Sequence, residues 1–138
     1  MFSLKTLLLT LPLMGLVRTW EVTSYSGVDN CKAGSGTKYR IYEGGDSGTC
    51  HELTGSAAGS TCSQYSNGGT NGPDSCGGDY LLAQSVSTGG CTVYTGKNCG
   101  GADYTGNCVT PGFGLTLASF RCMLLYRSES PLEGAVAQ

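Results

Sequence analysis

The chain holds a single histidine, His51, between Cys50 and Glu52. One imidazole excludes a His–His acid/base pair. A nucleophilic relay needs a serine or cysteine, a histidine and a carboxylate held together. Serines are plentiful, but no G-x-S-x-G elbow occurs to present one. A histidine beside a bridged cysteine reads as a turn or surface residue rather than a base. Glu43, Asp46 and Glu52 are the acids that a glycosidase-type carboxylate pair would draw on. Acids around a Gly-Gly turn, as Glu43 and Asp46 are, read instead as solvated charges. No catalytic residue is therefore expected.

The cysteines are Cys31, Cys50, Cys62, Cys76, Cys91, Cys99, Cys108 and Cys122. Zinc would need a C-x2-C pair or a second histidine, and neither is present. An even set points to disulfides, each contributing about 2–4 kcal/mol by restricting the unfolded chain. Spacing alone leaves the pairing open. The set contains no adjacent Cys-Cys pair, unlike the eight-cysteine hydrophobins. Neither a metal nor a cofactor is expected.

Binding is the more promising chemistry. Eight tyrosines and Trp20 offer rings that stack on sugars or fill partner pockets. Tyr25, Tyr39, Tyr94 and Tyr126 read as core and hairpin residues. Tyr42, Tyr65 and Tyr104 stand in glycine-rich contexts and are the candidates for an exposed binding surface. No Asn-x-Ser/Thr sequon occurs, so N-glycosylation is not expected.

These residues need a scaffold, and composition restricts it. Glycine numbers 23 of 138 residues and charged residues are 13%. Each glycine in a helix costs about 1 kcal/mol relative to alanine, which disfavours a helical bundle. The formal charge of −2 and pI near 5.2 give no basic field for nucleic acid. Residues 1–19 place Lys5 before an apolar run too short to span a bilayer comfortably, and Val17 and Thr19 suit positions before a cleavage point. The stretch reads as a signal peptide cut near Thr19/Trp20. Lys5 and Arg18 leave with it, so the acidic excess grows. No later apolar run is long enough to span a membrane.

The body, 20–126, reads as one all-β domain of short strands separated by glycine-rich turns. Candidate strands are 20–25, 38–42, 79–85, 91–94 and 119–126. In the second, Tyr39 and Ile41 share one face and Arg40 and Tyr42 the other. A helical turn is conceivable only near Ala57 and Ala58. The body also repeats itself. Each half, about 20–65 and 79–126, runs from a strand ending in Tyr (Tyr25, Tyr94) to a cysteine after Asn (Cys31, Cys99). Each then closes with a serine shortly before another cysteine (Cys62, Cys122). Residues 66–78 read as a connector pinned by Cys76, and 127–138 as a frayed tail.

The segment from Tyr94 to Gly101 resembles the folded-hairpin signature of βγ-crystallin Greek keys. Tyr94, Gly101 and Ser119 fit its aromatic, glycine and serine positions, and Cys99 replaces its second aromatic. In the first half the glycine falls near Gly34. The region is also similar to small secreted cysteine-rich proteins of filamentous fungi. The resemblance implies two Greek-key motifs packed as a β-sandwich. It also directs attention to possible calcium positions, 55–60 and 115–119. Neither segment has a carboxylate or amide side chain, so no calcium is expected. Laid on the repeat, the cysteines would pair as Cys31–Cys50, Cys99–Cys108, Cys62–Cys76 and Cys91–Cys122.

The expected function is surface interaction outside the cell by a monomeric, non-enzymatic protein, effector-type or cell-wall-associated. The partner would be a protein or a wall glycan. A secreted toxin or antimicrobial protein is the alternative.

Overall fold

A computed structural model describes residues 19–55 and 60–124. The expected leader up to residue 18, the turn at Ala57 and Ala58, Tyr126 and the tail lie outside the described residues. Among the described residues, ten strands make two antiparallel sheets. They are β1 (Trp20–Tyr25), β2 (Tyr39–Gly44), β3 (Cys50–Glu52), β4 (Ser60–Ser66), β5 (Asn71–Ser75), β6 (Ser85–Thr88), β7 (Cys91–Tyr94), β8 (Asp103–Thr105), β9 (Cys108–Val109) and β10 (Ser119–Cys122). The larger sheet is ordered β5-β4-β2-β1-β6-β9, and the smaller β3-β10-β7-β8. Among the described residues, short 3-10 turns lie at Asn67–Gly69 and Lys97–Cys99.

The strands follow from their alternation. In β1, Trp20, Val22 and Ser24 are buried, and in β2 Arg40 and Tyr42 are buried between more exposed neighbours. Val22 lies opposite Tyr42 in the ladder, so the two side chains share the inner face. From the other sheet, Val93 and Phe120 come to meet them. Phe120 packs edge-on against Trp20 at 5.2 Å and against Tyr42 at 5.7 Å. This aromatic joint, with Leu53, Val86, Val109 and Leu117, is the core.

The core also admits a charge. Arg40 is buried, donating Nε to Gln64 Oε1 at 2.9 Å, Nη1 to the Asp79 carbonyl at 2.7 Å and Nη2 to Asp79 Oδ1 at 3.1 Å. A buried guanidinium is tolerable because its donors are engaged.

Strand β3 belongs to the first half of the chain but lies in the smaller sheet, beside β10. Strand β9 belongs to the second half but lies in the larger sheet, beside β6. The halves read from the sequence therefore interlace: β6 and β9 of the second join the larger sheet, and β3 of the first joins the smaller. That interlacing overturns two expected bridges. The bridges are Cys31–Cys108, Cys50–Cys99, Cys62–Cys76 and Cys91–Cys122. The last two are as the repeat suggests. The first two cross between halves because each hairpin cysteine faces the visiting strand, not the strand of its own half.

Other segments also differ from expectation. The supposed connector contains β5, an edge strand paired with β4, and Cys76 ties its end to Cys62. Residues 79–85 hold only isolated bridges at Tyr80 and Ala83 before β6 begins at Ser85. The serine that acts like Ser119 is Ser85, in a stretch that the sequence assigns to the second repeat. Ser119 Oγ accepts the Cys99 N–H at 2.9 Å and donates to Gly96 O at 2.6 Å. Ser85 Oγ accepts the Cys31 N–H at 3.1 Å and donates to Val28 O at 2.7 Å. The hairpin bend uses Gly101 at φ 77° as expected, but in the first half Gly36, at φ 80°, supplies the left-handed residue instead of Gly34.

Candidate functional site

Of the sequence-selected acid/base residues, His51, Asp46 and Glu52 are built into the frame. His51 is 2% exposed, its ring held between Trp20 and Phe120 at 4.9 and 5.3 Å. It is a core residue, not a surface one, because β3 visits the smaller sheet and turns His51 inward. Its Nε2 meets Asp46 Oδ2 at 2.6 Å, and the Asp46 carbonyl accepts from Trp20 Nε1 at 2.9 Å. Burial alone would raise the Asp46 carboxyl. The hydrogen bond and charge of His51, with the Asp46 N–H and Thr49, outweigh it and hold the group below its ordinary value. Glu52 accepts from Tyr80 Oη at 3.0 Å and from the Asn98 N–H at 2.6 Å. Glu43 is exposed on β2, where it lies opposite Glu21 of β1. These acids do not converge on a shared cleft with His51.

The tyrosines divide differently from expectation. Tyr42 is fully buried, because it occupies the inward phase of β2, and it cannot belong to an exposed surface. Tyr65 and Tyr104 are half-buried, on β4 and β8 in different sheets. Tyr104 packs against the core and donates to Pro111 O at 3.3 Å. Conversely, Tyr25 and Tyr39 are half-exposed and form a cross-strand ladder with Tyr65. The ring centroids are 5.7 Å apart for Tyr25 and Tyr39 and 5.0 Å for Tyr39 and Tyr65. Burial, with Tyr39 and Glu21 nearby, pushes the Tyr25 hydroxyl up. Rings that stack on one another have used faces that a flat ligand would need, so this ladder braces the sheet.

A different place is open. A cleft of about 710 Å³ lies between the first half's folded loop and the loop joining β9 to β10. Gly27 and Asp29 line one wall, Gln84 contributes from the chain leading into β6, and Thr110, Phe113, Leu115 and Thr116 line the other. Both walls are fastened. The Cys31–Cys108 bridge links the two loops, and Thr110 Oγ1 donates to Asp29 O at 2.7 Å. Phe113 stands fully exposed between Gly112 and Gly114, at φ 95° and 79°. Leu115 is 51% exposed beside it. An uncovered aromatic next to a carboxylate, an amide and hydroxyls is a binding constellation, and a pinned loop limits the ordering cost of using it.

A second cleft, about 580 Å³, is lined by Trp20, Thr88, Cys91, Asn107 and Met123 among others. Among the described residues no cluster of three or more His, Cys, Asp or Glu is arranged for a metal.

The family model described as "Secreted LysM effector LysM14, C-terminal domain" matches residues 20–116. The chain belongs to this family. The LysM14 C-terminal domain match spans well over half of the chain and takes in both walls of the Phe113 cleft. No curated protein and no solved structure matches the chain. Membership makes this a secreted, extracellular effector domain, disulfide-rich and all-β. The family supports the effector expectation and lends nothing to the toxin alternative.

Sequence reasoning missed Phe113. Its signal was present: an aromatic between two glycines, just after a proline, is a ring held out on a turn. Asp29 and Gln84 had no such signal, because only the fold brings them to the same cleft.

Proposed function

We propose that this LysM14-type domain acts outside the cell as a non-enzymatic binding module, and that the Phe113 cleft is its contact site. The observation that carries this reading is a large uncovered ring beside an open, covalently fixed cleft. His51, Asp46 and Glu52, by contrast, are consumed as internal ties. The scaffold reads as a pair of crystallin-like Greek keys, which the strand interlacing and the matched Ser85 and Ser119 ties support. The mature chain reads as starting at Trp20, where β1 and the family match both begin.

The test compares wild type with Phe113→Ala in a host-tissue response assay and in co-sedimentation with chitin and glucan. The variant is expected to lose the extracellular effect while keeping its thermal midpoint, and neither protein should turn over polysaccharide, ester or peptide substrates. An undiminished effect of the variant would remove the cleft from the mechanism. Turnover that disappears in Glu52→Gln would replace the binding reading with an enzymatic one.

A further inference from the structure

The two halves build the same corner twice, and only one copy is filled. In each, a backbone N–H just before the tying serine reaches the strand-ending tyrosine: Gln84 to Tyr25 O and Ala118 to Tyr94 O, both at 2.9 Å. In each, the hairpin cysteine is bonded to the visiting strand. Two residues beyond that strand's cysteine, a side chain ties down the hairpin backbone: Thr110 to Asp29 O in one, Glu52 to the Asn98 N–H in the other.

The corner around Glu52 is complete. Lys97, two residues before Cys99, places Nζ 4.7 Å from the centroid of the Tyr80 ring. The Tyr80 hydroxyl donates to Glu52, so cation, ring and carboxylate sit together. Leu81, four residues before the other hairpin's serine, Ser85, donates its N–H to Leu53 O here and is 7% exposed. In the other corner the position two before Cys31 is Asp29, and the corresponding leucine, Leu115, is 51% exposed. A carboxylate cannot serve as the cover that Lys97 provides, because the face of an aromatic ring is negative. Phe113 and Asp29 thus line one cleft with a ring and an anion, and no Lys or Arg is among its lining residues.

From this juxtaposition we propose that the Phe113 cleft receives a basic side chain, arginine before lysine, from a protein partner. The assignment rests on the cleft being the contact site. A guanidinium lies flat on the Phe113 ring, directs two N–H groups to the Asp29 carboxylate, and finds further acceptors in the Gln84 amide and the hydroxyls of Thr110 and Thr116. The chain's acidic balance favours approach of such a partner. Lys97 on Tyr80 is a cation–ring contact of the same kind in the Glu52 corner, and by that analogy an amino-acid side chain is preferred to a sugar as the occupant.

The experiment titrates isotope-labelled mature protein with acetyl-Gly-Arg-Gly-amide, its lysine and norleucine counterparts, and a glucosamine tetramer. The amide signals of Gly27, Gly112 and Gly114 are followed by NMR. The arginine peptide is expected to shift them saturably, with the lysine peptide weaker and the norleucine peptide weaker by about tenfold or more. Phe113→Ala and Asp29→Asn should each weaken arginine binding about fivefold or more, and Leu82→Ala should leave it unchanged. Unchanged thermal midpoints show that the variants fold. No saturable shift with the arginine peptide, or equal binding of the norleucine peptide, overturns the proposal. Binding of the glucosamine tetramer alone at these amides also overturns it, while leaving the cleft as the contact site. Shifts centred elsewhere on the protein overturn both.

Discussion

Ser119 and Ser85 each satisfy one part-buried backbone donor and one carbonyl with a single hydroxyl. Removing such a group leaves an unpaired N–H, at a cost of about 1–3 kcal/mol. Ser119→Ala is expected to lower the urea midpoint accordingly, with the slope unchanged, and Ser85→Ala to do the same. The Asp46–His51 pair gives the acid response. A carboxyl held below its unfolded value adds stability above that value and loses it as pH falls through the folded one. The loss therefore starts near the ordinary carboxylate range, about pH 4, and continues downward. Thermal midpoints between about pH 6 and 2 should fall more steeply for wild type than for Asp46→Asn. At this scale the sequence was legible where one residue has one local task, as at Ser119 and Gly101. It was misleading for His51 and Tyr42, whose burial depends on which sheet their strands join.

Among the elements, strands with clear alternation or β-branched residues were readable: β1, β2 and β7 fall where the pattern put them. The β4–β5 hairpin was not. Its strands carry serine, glycine, asparagine and a proline, which ordinarily signal a loop. They pair because β2 offers them an edge and the Cys62–Cys76 bridge holds them there. The folded loop from β7 to β8 is the most constrained piece. At Gly101, φ is 77° and an added Cβ would stand 2.6 Å from Thr95 Oγ1. Gly101→Ala is therefore expected to cost about 1–2 kcal/mol in the same urea experiment. An alanine at Gly89, where φ is not in the left-handed region and a Cβ meets nothing within 4 Å, should leave the midpoint nearly unchanged.

For the molecule as a whole, bridge separation ranks the staples. Cys31–Cys108 encloses a separation of 77 residues and Cys62–Cys76 one of 14. Chain-entropy reasoning assigns about 4.5 and about 3 kcal/mol to loops of those sizes. A Cys31→Ser/Cys108→Ser pair should thus lower the thermal midpoint more than Cys62→Ser/Cys76→Ser, and the loss should be larger still if the cleft wall loosens. The number of cysteines announced the staples, and Tyr, Cys and Ser landmarks hinted at two similar halves. The crossing of Cys31 and Cys99 to the opposite half was invisible, because interlacing of β3 and β9 is a long-range choice without a local pattern. The same interlacing governs how the domain comes apart. A peptidase that opens the chain between residues 77 and 84 leaves two fragments still bonded through Cys31–Cys108 and Cys50–Cys99. After a single cut there, the two fragments separate only when both of these bridges are reduced.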